Sequence, residues 1–199
     1  MSETTSSAAG RRSRVVMPVL VLLAVMWVLE FLDLILPLDL DYLGIQSRDA
    51  SGLVGIPLAP FLHSGFEHLL ANTLPFLILG TLVAWRAGGR FWSVAIIIIL
   101  LGGAGVWLLG PGNAITIGAS GLVFGFLGYL LARGALTRDW IDILVAAGVL
   151  LIYGSLLLGA TPFGVPAGVS WLAHLTGFAA GIIAAFVSAD RRGQITSSP

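Results

Sequence analysis

Three short stretches of this chain carry the side chains that could do chemistry. They are Gly118-Ala119-Ser120-Gly121, the run FLHSGFEHLLANTLPF with His68 and Asn72, and AHLTGFAAG with His174. A serine hydroxyl is a poor nucleophile until a base accepts its proton, and histidine is the usual base near neutral pH. Ser120 and His174 make that pair. Attack on a carbonyl creates a negatively charged tetrahedral oxygen, which needs donors fixed in advance. Asn72 can supply a side-chain NH₂, His68 a ring N–H, and Ser120 its own backbone N–H, helped by the positive end of a helix. His68 and Asn72 are spaced i, i+4, so they share one helix face and can point at one target.

Composition sets what must hold these groups together. The 199 residues are 57% hydrophobic and 10% charged, where soluble domains carry about 25% charged residues, and mean hydropathy is +0.99. Such a chain belongs in a lipid bilayer. It has no cysteine, so neither a disulfide nor a Cys-ligated metal site is available. Net charge is zero and no basic tract is present, which sets nucleic acid aside as a partner.

Six apolar runs approach the ~20 residues needed to cross a ~30 Å hydrocarbon core: about 16–36, 67–85, 91–109, 118–132, 140–159 and 170–188. They lead us to expect an all-α bundle of six transmembrane helices over residues 15–188. Residues 1–14 and 189–199, rich in Ser, Thr and Arg, are expected as disordered tails. The first run follows a basic stretch, yet it is long, carries Glu30 and Asp33 near its end and lacks a small-residue cleavage site; it reads as a retained helix. The fourth run is the shortest and richest in glycine, as expected for a helix whose end is sheltered by protein.

The chain has ten arginines and no lysine. With the N-terminus inside, the cytoplasmic pieces hold Arg11, Arg12, Arg14, Arg86, Arg90, Arg133, Arg138, Arg191 and Arg192, and only Arg48 stays outside. Both termini are therefore expected in the cytoplasm. The first outer loop, about 37–66, is the one long connection; it mixes Pro37, Asp39, Asp41, Arg48 and Asp49 with apolar stretches. A connection of that length without periodicity is usually functional or disordered, and this one is apolar enough to lie partly in the interface.

In this topology the second, fourth and sixth helices all begin on the outer face. His68, Asn72, Ser120 and His174 then converge at one depth, and polar groups inside a membrane are costly and tend to mark function. Glu67 lies at the outer end of its helix, while Asp139 and Asp142 lie at the wrong face to orient His174, so the pair is a dyad and not a triad. Each residue also has a plainer reading. Ser120 with Gly121 and Gly125 fits a small-xxx-small helix contact; His174 could be a core histidine bonded to a carbonyl, His68 an interfacial residue and Asn72 a helix–helix hydrogen-bonding group. His63, further out in the loop, reads as structural. Gly177 and Gly181 would let the sixth helix approach the fourth, bringing His174 toward Ser120.

The set Gly118-Ala119-Ser120-Gly121, His68-x-x-x-Asn72 and Ala173-His174-x-x-Gly177-x-x-x-Gly181 resembles the rhomboid intramembrane serine proteases, over about residues 15–188. The resemblance implies the six-helix bacterial form, with Ser120 as nucleophile, His174 as general base, and His68 and Asn72, together with Gly118, at the oxyanion and substrate site. It implies a substrate helix from another membrane protein, cut near its outer end, with no metal, nucleotide or other cofactor. Many members carry a tyrosine four residues after the serine, stacked on the histidine; here that position is Phe124, which keeps the ring. The Trp-Arg pair that many carry in the first outer loop is absent, and Trp85-Arg86 falls at the opposite face.

A shielded peptide bond must unwind before it can meet Ser120, so helix-breaking or small residues in the substrate should help. The fifth helix and the loop ATPFGVPAG are candidate moving parts, with Phe163 and Trp171 as lid residues. The alternative is a catalytically silent rhomboid-like protein that binds transmembrane helices for quality control. A channel or transporter is disfavoured, since there is neither an internal repeat nor a charge at mid-membrane depth.

Overall fold

The computed structural model describes the backbone of residues 3–36 and 39–195, and the side chains of 15–36 and 39–189. In chain order its elements are α1 (Glu3–Ile35), β1 (Ile45–Gln46), α2 (Gly55–Leu58), α3 (Phe66–Ala87), α4 (Phe91–Leu109), β2 (Ile115–Thr116), α5 (Ser120–Thr137), α6 (Trp140–Tyr153) and α7 (Trp171–Ile195). The side chains of the stretches expected as tails lie outside the described residues except for Ala189, as does Pro37 of the first loop. Helical backbone reaches back to Glu3 and on to Ile195.

Among the described residues, five helical stretches are long and apolar enough to cross a membrane: Val15–Ile35, Phe66–Leu109, Ser120–Thr137, Trp140–Ala160 and Trp171–Ala189. The protein is an all-α integral membrane protein. The second stretch spans 44 residues, about twice what one crossing needs. A 3₁₀ turn over Gly88–Arg90 divides it into α3 and α4.

Helix α5 is the centre. Its residues from Leu122 to Leu130 are buried without a break, the pattern of a helix surrounded by others. Against it lies α7, and the approach is set by glycine: a methyl group at Gly177 would collide with the Gly121 carbonyl, and one at Gly181 with the Gly125 carbonyl. In the membrane such close backbone contact replaces the hydrophobic drive available in water. Helix α1 packs along α3, where Trp27 Nε1 donates to Thr73 Oγ1 at 3.3 Å. Helix α6 is peripheral, burying only Asp142 and Val149.

Charge marks one end of the bundle. Arg86 Nε and Arg133 Nε both donate to Asp142 Oδ1, at 2.5 and 2.8 Å, and Arg86 Nη2 donates to Asp139 Oδ2 at 2.9 Å. Thr137 Oγ1 completes the set by donating to Asp142 Oδ2. Asp142 is 2% exposed, so this network fastens α3, α5 and α6 at that end. There too, Arg90 Nη1 donates to the Ser188 carbonyl of α7 at 2.7 Å.

At the opposite end, the connection from α1 to α3 is built from turns too short to show any period in the sequence: 3₁₀ turns over Leu40–Leu43, Ala50–Leu53 and Ala59–Phe61, with β1 and α2 between them. It is strapped to the end of α4. Ser47 Oγ donates to Val106 O, Arg48 N–H to Trp107 O, Arg48 Nη1 to Gly110 O and Trp107 Nε1 to Asp49 O. These bonds anchor the loop without a Trp-Arg pair. Antiparallel pairing of β1 with β2, Ile45 opposite Thr116 and Gln46 opposite Ile115, ties the loop to the segment that enters α5.

Candidate active site

Helices α3, α5 and α7 all begin at the end of the bundle opposite the arginine cluster, so three positive helix ends point the same way. His68 lies in the first turn of α3, Ser120 opens α5, and His174 follows one turn into α7. Ser170 caps the last helix: its Oγ accepts the Ala173 N–H at 3.2 Å, the geometry of a serine N-cap.

The segment entering α5 is held residue by residue. Gly118 stands at φ +112°, a conformation that side chains disfavour. It must also be bare, because a Cβ there would lie 2.7 Å from His68 Cε1 and 2.8 Å from Nε2. The His68 ring therefore rests directly on the backbone two residues before Ser120. Gly118 N–H donates to Ala59 O at 2.8 Å, and Ala119 N–H donates to His63 Nε2 at 3.3 Å. Ser120 follows, half-buried, as the first residue of the helix. The expected fourth run began at 118; the bend at Gly118 delays the helix by two residues.

His174 is 6% exposed. Its Nδ1 lies 2.8 Å from the Gly159 carbonyl. A carbonyl can only accept, so the ring proton is on Nδ1 and Nε2 carries the free lone pair of the neutral ring. Among the described residues Nε2 has no hydrogen-bond partner. Phe124 stacks flat on the ring, with centroids 4.1 Å apart and planes 4° apart. Phe124 lies four residues after Ser120 and so on the same face of α5. The imidazole is thus carried on the serine's side of the helix, although no hydrogen bond joins Ser120 and His174.

The other expected groups fall as follows. Ser64 Oγ lies 3.3 Å from His68 Nδ1. Asn72 is buried one turn further along α3, and its Nδ2 donates to the His68 carbonyl at 2.9 Å, which uses one of its two N–H groups. Phe163 is 96% exposed and Trp171 is half-buried. A pocket between α4, the first loop, the start of α5 and α7 touches Gly118 and Gly121 but neither Ser120 nor His174. Gly159 was not marked by sequence reasoning, because a backbone acceptor has no residue signature. His63 was read as structural, and its contact with Ala119 could not be seen without the fold.

A family model for the rhomboid domain matches residues 50–191. An uncharacterized protein of Mycobacterium tuberculosis is 43% identical over 176 residues, covering 85% of this chain and 73% of that protein. An uncharacterized protein of Mycobacterium leprae is 39% identical over 175 residues, covering 85% of this chain and 69% of its own length. RHOMBOID-like protein 4 of Arabidopsis thaliana is 33% identical over 132 residues, covering 64% of this chain and 32% of the plant protein. The chain belongs to the rhomboid family.

Proposed function

We propose that this protein is an intramembrane serine endopeptidase that cleaves transmembrane helices of other membrane proteins near their outer ends. The observation that carries the reading is the tautomer of His174: its Nδ1 proton goes to the Gly159 carbonyl, which leaves a bare Nε2 on the face of α5 that Ser120 shares. In this reading a carbonyl does the orienting that a carboxylate does in a triad.

The steps follow from those positions. Nε2 takes the Ser120 hydroxyl proton as Oγ bonds to the scissile carbonyl carbon. The oxyanion is met by the Ser120 amide at the positive end of α5, by His68 across Gly118, and by Asn72 with its remaining N–H. The imidazolium then protonates the leaving amine, giving an acyl-serine, and the same histidine activates water to release the acid. Phe124 holds the ring plane throughout.

The Phe66–Leu109 stretch crosses twice in this reading, giving six crossings. Arg86, Arg90, Arg133 and Arg138 then lie on the cytoplasmic side and Arg48 outside. Both termini are cytoplasmic, the membrane is a bacterial inner membrane, and the site opens outward. The partners are membrane-protein substrates and the bilayer itself.

A silent rhomboid-like protein that binds transmembrane helices is favoured by one observation, the absence of a Ser120–His174 hydrogen bond. Incubating the purified protein in proteoliposomes with a model single-pass substrate separates the two. The protease reading expects two fragments from wild type and none from Ser120→Ala; an uncut substrate that still co-purifies with wild type would support the silent one.

A further inference from the structure

His63 is 2% exposed, and its Nε2 accepts the Ala119 N–H, the amide immediately before Ser120. A backbone N–H can only donate, so Nε2 is unprotonated and the ring proton sits on Nδ1. That Nδ1 is buried and turned toward the backbone of Phe61, while Nε2 ties the ring to the nucleophile segment. The same ring meets His68 edge-on, with centroids 5.1 Å apart and planes at 66°, and His68 in turn rests on Gly118.

Two consecutive amides are therefore held from the two ends of Ala59–His63: Gly118 by the Ala59 carbonyl and Ala119 by the His63 ring. Neither is left to donate to a substrate. The next amide, that of Ser120, is in the first turn of α5, where no residue four back offers a helical carbonyl. The latch thus selects which backbone N–H is presented and fixes the Cα from which the Ser120 hydroxyl projects.

We propose that His63 is a positioning residue: its neutral Nε2 latches the Ala119 amide, sets the Ser120 hydroxyl and amide, and braces the His68 ring, without touching substrate. This rests on Ser120 being the nucleophile. The chemical requirement is an acceptor at the Nε2 position. Glutamine can reach that point with its side-chain oxygen; leucine fills space but accepts nothing.

The test compares wild type, His63→Leu and His63→Gln in detergent by two readouts. The first is amide hydrogen exchange of a peptide covering residues 112–124, which does not depend on activity. The second is the rate of Ser120 labelling by a fluorophosphonate, with first-order and concentration terms separated. His63→Leu is expected to exchange faster around Ala119 and to lose about 100-fold in the first-order rate, the scale of a ~1 Å misplacement, with little change in probe affinity. His63→Gln is expected to restore slow exchange and most of the rate. Equal exchange in wild type and His63→Leu, or a His63→Gln variant as impaired as His63→Leu, would overturn the latch. Failure of wild type to label while His63→Leu still speeds exchange would instead remove the protease reading and leave the latch standing.

Discussion

Phe124 and His174 lie face to face, with ring centroids 4.1 Å and planes 4° apart, one turn along α5 from Ser120. A flat stack of this kind fixes the imidazole's plane while the Gly159 carbonyl fixes its rotation. An aromatic pair is worth about 0.5–1.5 kcal/mol beyond its buried area, so Phe124→Leu should slow Ser120 labelling by roughly 2- to 10-fold. Phe124→Tyr keeps the ring and should label near the wild-type rate. Labelling rates of the two variants, measured side by side, check this.

The packing of α5 on α7 gives a second expectation. A side chain at Gly181 would meet the Gly125 carbonyl, which is backbone and cannot turn aside. Gly181→Val should therefore destabilise by at least the ~1–3 kcal/mol typical of overpacked cores, and it should separate His174 from the serine's helix. Thermal unfolding in detergent and probe labelling should fall together. Unchanged melting would mean that the two helices are not in backbone contact.

Asp142 gives a third, far from the site. It is buried beneath Arg86 and Arg133, which both donate to it. Removing one partner of a buried pair leaves uncompensated charge, at a cost of about 3–5 kcal/mol. Asp142→Ala should lower the melting temperature by far more than Asp49→Ala, whose carboxylate is exposed and bonds only to Ser51. Calorimetry on the two variants is the measurement.

His63 adds a pH dependence. Burial, then the neighbouring His68, pushes its pKa down to about 4 from the ordinary 6.5. Between those values the unfolded chain binds more protons than the folded one, so this group's contribution lowers stability as pH falls from about 6.5 to about 4. Glu30, Asp33 and Asp41 share a small cavity with His63. Asp41 acts in the opposite sense: burial, then Asp33 and Asp39, raises it to about 6, so the folded state holds its proton and stability falls as pH rises from about 3.8 to 6. Melting curves of Asp41→Asn and of Asp41→Asn with His63→Gln isolate the histidine. The first variant should lose stability relative to the second on acidification through that window; parallel curves would contradict it.

Much of this architecture could be read from the chain because a membrane imposes a coarse rule. An apolar run of about 20 residues is hard to mistake, and α3 and α4 fall close to their expected bounds, while α7 begins within a residue of its expected start and runs on to Ile195. Ser120, His174 and His68 were legible because polar groups are rare inside such runs. The rest depended on contacts between distant backbones. Gly159 contributes a carbonyl that every residue has. His63 precedes α3 and is separated from it by Gly65 at φ +109°, so no helix-face argument could aim its ring at Ala119. The first loop folds by turns of three or four residues, below any detectable period. Asp139 and Asp142 could be assigned a membrane face from the sequence but no partner, until the fold brought Arg86 beside them.

The central claim is that Ser120 is activated by His174. Treating wild type, His174→Ala and Ser120→Ala with a fluorophosphonate and mapping the adduct by peptide mass spectrometry tests it most directly. The account expects a single adduct on Ser120 in wild type, a strongly reduced yield in His174→Ala and none in Ser120→Ala. No adduct on wild-type Ser120, or an equal yield without the imidazole, would contradict it.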